Sequence, residues 1–241
     1  PGTPINTMMA PTILARGEGK DRPTYSPWIA RDALLRAARL RGTTLDELED
    51  RVVDTLGLDA KGELVLDLGA RSVRVRIDAR LEPLVLDEDG TVLKAFPAAR
   101  KDDDPTKVGE ARARFSEIQE DVRAITVRRL AALRRAMETR RAWRDADFKA
   151  VWAQHPFQRH LAATVVWKSA DRTFRVTEDA TFADEHDEEV RLAEDAEVRV
   201  ARYDDMSDAT RRAWGERFSE YRILTHLPQL ERERESEHRS A

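Results

Sequence analysis

The sequence predicts an α+β fold, and three changes of periodicity predict it. Apolar residues recur at three-four spacing through Leu45, Leu48, Val52 and Leu56. From Glu63 they alternate instead, as Leu64, Leu66 and Leu68 and then Val73, Val75 and Ile77. The three-four spacing resumes from Val108 to Ile125 and gives way again to strand-like text after Arg172. A face that returns every 3.6 residues belongs to a half-buried helix, and one that returns every two to a half-buried strand. The expected arrangement is a helical pair plus a small antiparallel sheet, a long central helix, and a second small antiparallel sheet with closing helices.

The elements follow in order. Ser26-Pro27 opens a helix, because proline at the first helical position loses no backbone bond, and that helix runs to about Leu40. Thr44-Leu45-Asp46-Glu47 is a capping box, and Gly57 is expected to end the helix it starts. Two strands follow, joined through Gly69-Ala70-Arg71, and then "LVLDEDGTVLKAF", whose Asp89-Gly90 suits a hairpin turn. After the polar connection "RKDDDPTK", a helix from about Thr106 to Thr139 would be on the order of 50 Å long. Its stripe of Val108, Ala111, Phe115, Ile118, Val122 and Ile125 shifts to Leu130, Leu133 and Met137. Because that register slips, packing within its own domain is expected over a coiled coil. Asp145 is expected to cap a short helix carrying Phe148, Val151 and Trp152. "RTFRV", "ATF", "EVRL" and "EVRVA" read as strands, and Ser207 or Asp208 opens a last helix with Trp214, Phe218 and Tyr221. Residues 1–25 read as an irregular lead-in, 26–230 as one integrated domain (with 26–105 and 106–230 as the alternative subdomains), and 231–241 as a charged tail.

Composition narrows the function classes. With 42 Lys and Arg against 46 Asp and Glu the chain carries a net charge of −4, which weighs against a dedicated nucleic-acid binder. It has no cysteine, so disulfides, thiolate metal sites and a cysteine nucleophile are excluded, and a cytoplasmic location is expected. No apolar run approaches the roughly 20 residues that span a bilayer, so no membrane partner is expected. A Gly-rich phosphate loop and a nucleophile elbow are both missing, and neither a cofactor nor a catalytic residue is assigned.

"LEDRVVDTLGLDAKGELVLDLGARSVRVRID", "DEDGTVLKAFPAARKDDDP", "FKAVWAQHPFQRHLAATVVW" and "WGERFSEYRILTHLPQLERE" occur in that order. Together they resemble the bacterial MolR-like family, a large domain of unknown function named for a protein labelled a molybdate metabolism regulator, some members of which also carry a WGR domain. The resemblance spans nearly all of residues 28–234 and implies a regulatory setting, but brings no catalytic residues. The chain departs from the family pattern at Arg202-Tyr203, at Thr225-His226-Leu227, and at Asp179-Ala180, where the family usually reads Asp-Gly.

Four groups of residues are candidates for chemistry. His155 and His160 could ligate a metal, but five residues apart they differ by about 140° around a helix, and Pro156 disfavours helical geometry at His155. A helix–proline–helix corner is the expected reading, with His155 bonded to a free carbonyl and a second helix starting at Pro156. His186 lies in the acidic run Asp184–Glu189, which could hold a hard cation but lacks the pattern of a calcium loop, so a solvated loop is expected. Arg128, Arg134, Arg135 and Arg141 belong to a stretch, Arg123 to Arg144, with eight arginines and one acidic residue. They could track phosphates, with Trp143 and Trp152 stacking on bases, or lie against the acidic residues of 178–205. The aromatics are expected mainly in the core. The function expected is a non-enzymatic scaffold or protein-interaction module with other proteins of a bacterial assembly as partners. The alternatives are a nucleic-acid-contacting regulatory domain and a metal- or ligand-dependent enzyme, the latter requiring a metal or an enclosed pocket at His155, His160 or His226.

Overall fold

The structure is a computed structural model that describes residues 27–231, with side chains from residue 32 onward. The lead-in, the Ser26 cap and the tail from residue 232 lie outside the described residues. The chain folds as two compact units. Among the described residues, one holds those up to Asp78 together with Glu82–Val127, the other Ala79–Leu81 together with those from Arg128 to residue 231.

In the first unit α1 (Pro27–Arg41) and α2 (Leu45–Arg51) form the helical pair, burying Leu34, Ala38 and Leu48 against each other. The capping box is present: the Glu47 N–H donates to Thr44 Oγ1 at 3.2 Å, and the Thr44 N–H to Glu47 Oε2 at 2.8 Å. The helix stops at Arg51, six residues before Gly57. Leu56 and Gly57 both take positive φ in a separate turn, where Asp54 accepts the Leu56 N–H at 2.7 Å. Leu56 is therefore buried from a loop and not from the helix face.

Strands β1 (Glu63–Asp67), β2 (Ser72–Ile77), β3 (Pro83–Leu86) and β4 (Val92–Leu93) form an antiparallel sheet in chain order. Leu66 pairs with Val73 and Val75 with Val85, all facing the core, while Arg74 and Arg76 reach Glu63 on the wet face. The β1–β2 turn needs its glycine. Gly69 has φ +99°, and a Cβ there would lie 2.7 Å from the Asp104 backbone nitrogen. That approach lets the Asp104 N–H donate to Leu68 O at 3.0 Å while its carboxylate caps the next helix through the Thr106 N–H at 2.8 Å.

The helix so capped, α3 (Pro105–Thr139), has 35 residues and is about 52 Å long. Ile118 and Val122 are fully buried in the first unit, and Leu133, Ala136 and Met137 are buried in the second. The helix ends in a Schellman motif built without glycine: Arg140 takes φ +55°, and the Arg141 N–H donates to Ala136 O at 2.9 Å.

The second unit contains β5 (Ala142–Arg144), α4 (Asp145–Phe148) running into a π-turn over Lys149–Ala153, and α5 (Gln158–Ala162). Then come β6 (Trp167–Ser169), β7 (Arg172–Val176), β8 (Phe182–Ala183), β9 (Glu197–Val200), a 3₁₀ turn over Tyr203–Asp205, and α6 (Asp208–Glu220). Its sheet is antiparallel in the order β5-β9-β6-β7-β8. Asp145 does not cap α4; it is the first helical residue and pairs with Lys149 at 2.8 Å. "EVRL" forms only a bridge, Ala183 to Glu189, because residues 184–188 fold into a tight turn first. Ser207 caps α6 as expected.

Trp143, Trp152 and Trp167 form the heart of this unit, their centroids 5.6–5.8 Å apart, with Phe148 at 4.7 Å from Trp167. A smaller cluster of Val166, Ala201, Met206, Trp214 and Phe218 lies under α6. Tyr221 departs from the core expectation and is 45% exposed. Among the described residues no helix is long and apolar enough to cross a membrane.

Candidate functional site

The histidine corner is built as a cap. The π-turn ends at Ala153, where the Gln154 N–H reaches Lys149 O at 2.8 Å, and α5 begins only at Gln158. Between them His155 Nδ1 accepts the N–H groups of both Phe157 and Gln158 at 3.1 Å. The ring therefore serves orphan amides at the start of α5, where a bond to a free carbonyl was expected. The direction of the bond fixes the proton on Nε2, so the Nδ1 lone pair is unavailable to a metal. His160 is half-buried on α5 itself, and Gln158, fully buried, donates to Val151 O at 2.9 Å. Among the described residues no group of three or more His, Cys, Asp or Glu side chains could hold a metal ion.

The acidic run is a bonded turn where a solvated loop was expected. Asp184 is buried and accepts the N–H groups of His186 and Glu188 at 2.9 and 3.0 Å, which leaves the His186 side chain exposed at the tip. Asp187 receives Arg175 at 3.2 Å, Arg217 at 2.9 Å and the Tyr221 hydroxyl at 2.7 Å. Burial pushes the Asp187 carboxyl up, but those hydrogen bonds and the Arg217 charge outweigh it and hold it below the usual carboxylate range. The hydrogen bond to Asp187 raises the Tyr221 phenol in turn.

The arginines separate into different environments. Arg128, Arg134 and Arg135 are exposed on α3, whereas Arg141 lies beyond its end and packs over Trp143 at 4.8 Å. Arg141 is thus separated from the three arginines on the helix. Trp143 and Trp152 are buried, so neither offers a face to a base. Of the α3 end, Arg140 approaches the acidic segment, 4.0 Å from Asp205. Sequence reasoning missed Arg129, which sits on the apolar stripe, is 5% exposed and stacks over Trp152 at 4.5 Å. The three-four count from Ile125 through 129 to Leu133 was the available signal, because it puts residue 129 on the buried face.

Gln229 in the "PQL" stretch was also missed. Its Oε1 accepts the Val166 N–H at 3.0 Å, and its Nε2 donates to Val166 O and Ala201 O at 2.7 Å each. The buried amide imitates a strand, completing the bonds of backbone at the edge of β6 and β9 and pinning the segment after α6. That segment and α6 border an open groove of about 1090 Å³. Phe218, Ile223, Leu227, Pro228 and Leu230 give it apolar walls, and Arg134, Arg211 and Arg212 line it with only Asp208 and Glu231 opposing them. Arg211 donates to Tyr203 O at 2.8 Å and to Met206 O, stacks on Tyr203 and pairs with Asp208. His226, also in the groove lining, has a shielded Nε2 without a hydrogen-bond partner, and burial pushes its pKa down, favouring the neutral ring.

A helical pair with a four-stranded meander, and a tryptophan-centred five-stranded unit with a groove beside its last helix, define a two-unit α+β protein. The chain belongs to a family described as a domain of unknown function (DUF4132), whose family model matches residues 90–238. It is 33% identical over 211 residues to the uncharacterized protein YehI of Escherichia coli (strain K12), an alignment covering 84% of this chain and 17% of that one. The chain therefore spans about a sixth of the length of that relative. No solved structure matches.

Proposed function

We propose that this chain is a non-enzymatic protein-interaction module, a scaffold element of a bacterial regulatory protein working in the cytoplasm. The observation that carries the reading is the apolar surface left open at the end of α6. Leu224 is 52% exposed in the segment after α6, which also lends Ile223, Leu227, Pro228 and Leu230 to the apolar wall of the groove. Contiguous exposed apolar surface rimmed by polar groups is characteristic of protein contacts. The polar groups that first suggested chemistry are engaged otherwise, His155 as a cap and Asp184 and Asp187 as the centre of a turn. A match to a small part of a much longer relative supports a module that acts beside other domains. The resemblance to the MolR-like family, including its WGR-bearing members, supports the regulatory part of the proposal.

Affinity capture from bacterial lysate, followed by reconstitution of each recovered pair from purified proteins, tests the reading. A protein partner that binds directly and at fixed stoichiometry is expected; repeated recovery of the bait alone contradicts it.

Nucleic-acid contact is the second reading, favoured by the exposure of Arg128, Arg134 and Arg135 on one helix. It would rest on phosphates, since the nearby tryptophans are buried. A gel-shift series with DNA and RNA decides it: binding that falls steeply with salt supports this reading, and none at low salt removes it.

A further inference from the structure

On the face of the second unit's sheet away from its packed tryptophans we infer an oxyanion site. It is formed by Arg140, Lys168 and Arg199 and suits a dianionic phosphate group. It stands apart from the protein-interaction reading and from the arginines of α3. Strand register places it. Trp143, Trp167, Val198 and Val200 are buried on one face of the sheet, so the residues that alternate with them face the other way. There Lys168 of β6 lies directly opposite Arg199 of β9, and Ala142 of β5 lies opposite Arg199 on its other side. Like charges directly opposite each other destabilise a sheet. A third cation joins them. Arg140, just before β5, approaches the Asp205 oxygen that Arg199 binds, at 4.0 Å against 2.9 Å.

The charge at this place does not balance. Lys168 Nζ donates to the backbone carbonyl of Asp205 at 3.4 Å, which brings it no negative partner. Among the described residues, Asp205 is the one carboxylate within ion-pair distance of any of the three cations. Asp204, exposed beside it in the chain, pairs with none of them. Elsewhere on the same face the charges match: Arg144 lies opposite Glu197, and Arg175 is held by Asp187. The Arg140 side chain is 53% exposed, and Ala142, also exposed, leaves room beside Arg199. Arg140 also takes φ +55° just past the end of α3, where glycine is usual, so the third cation is delivered from a strained backbone. Guanidinium groups fork onto phosphate oxygens, and an ammonium adds a point charge. A phosphate monoester carries close to two negative charges at neutral pH, which matches the excess of three cations over one carboxylate.

Two variants separate binding from folding. Arg140→Gly relieves the left-handed residue. Lys168→Gln removes the charge opposite Arg199 and keeps an amide that can donate to Asp205 O. Each should keep or raise the thermal midpoint while weakening phosphate binding about tenfold, the worth of one charge-assisted hydrogen bond. Isothermal titration calorimetry of the full chain, in chloride buffer near neutral pH, uses inorganic phosphate, a phosphoserine peptide, its unphosphorylated form, and dimethyl phosphate. Inorganic phosphate and the phosphoserine peptide are expected to bind. The unphosphorylated peptide and dimethyl phosphate, which carries a single charge, are not. Tighter binding of the phosphoserine peptide than of inorganic phosphate identifies a phosphorylated protein as the source of the group, and equal binding identifies a small phosphate. No binding of inorganic phosphate, equal binding of dimethyl phosphate, or affinity undiminished in either variant would overturn the inference.

Discussion

Replacing Gln229 by Met should destabilise the second unit by about 2–4 kcal/mol. The substitution keeps the length and most of the volume of the side chain, so the loss is of hydrogen bonds and not of packing. Val166 O retains a partner, because the Ala201 N–H also donates to it at 2.9 Å. The Val166 N–H and Ala201 O lose the bonds that Gln229 makes to them at 3.0 and 2.7 Å. Stranding a buried donor or acceptor costs about 1–3 kcal/mol each, with the carbonyl the more tolerant of the two. For a unit of roughly a hundred residues this is a fall of about 8–16 °C in its midpoint. Tryptophan fluorescence reads the transition, since four of the five tryptophans lie in this unit. Gln229→Glu sharpens the test. At neutral pH it keeps the acceptor for the Val166 N–H but sets a carboxylate against two carbonyls, and on protonation it can donate again. Its carboxyl pKa in the fold is then raised, so its deficit relative to wild type should shrink as pH falls toward the usual carboxylate range. A Met variant within about 0.5 kcal/mol of wild type, or a Glu variant whose deficit grows on acidification, would refute this account of the "PQL" stretch.

Other outcomes follow from the same geometry. Ala180 holds φ +62° in the turn where the Thr177 N–H reaches Thr181 O at 2.9 Å, so Ala180→Gly should raise the second unit's stability by about 1 kcal/mol in chemical denaturation. His155→Ala should cost about 1 kcal/mol through the lost cap, while His155→Asp, which restores an acceptor, should recover most of it; equal losses would contradict the capping role. Burial lowers the pKa of His226 in the fold, so below about pH 6.5 the unfolded chain takes up a proton that the folded chain resists. Stability should therefore fall as pH drops from that point toward the depressed folded value, and His226→Gln should flatten this part of the melting-temperature profile.

What could be read from the sequence was mostly local. The Thr44 capping box, the Ser207 cap, the end of the long helix at Thr139 and the alternation in β1 and β2 each depend on residues a few positions apart. What escaped reading depends on distant partners. Gln229 is an ordinary polar residue until Val166, 63 positions away, supplies its bonds. The sense of the His155 bond was hidden because an imidazole can give or accept, and only the placement of two amides decides. The acidic run read as solvated because nothing nearby announced Arg175, Arg217 and Tyr221.

The central claim is that the chain binds another protein directly, and capture followed by reconstitution tests it most directly. The purified chain is immobilised and exposed to bacterial lysate, and each recovered protein is then titrated against it in purified form. The account predicts a partner that binds the chain directly and at fixed stoichiometry. Repeated recovery of the bait alone would contradict it.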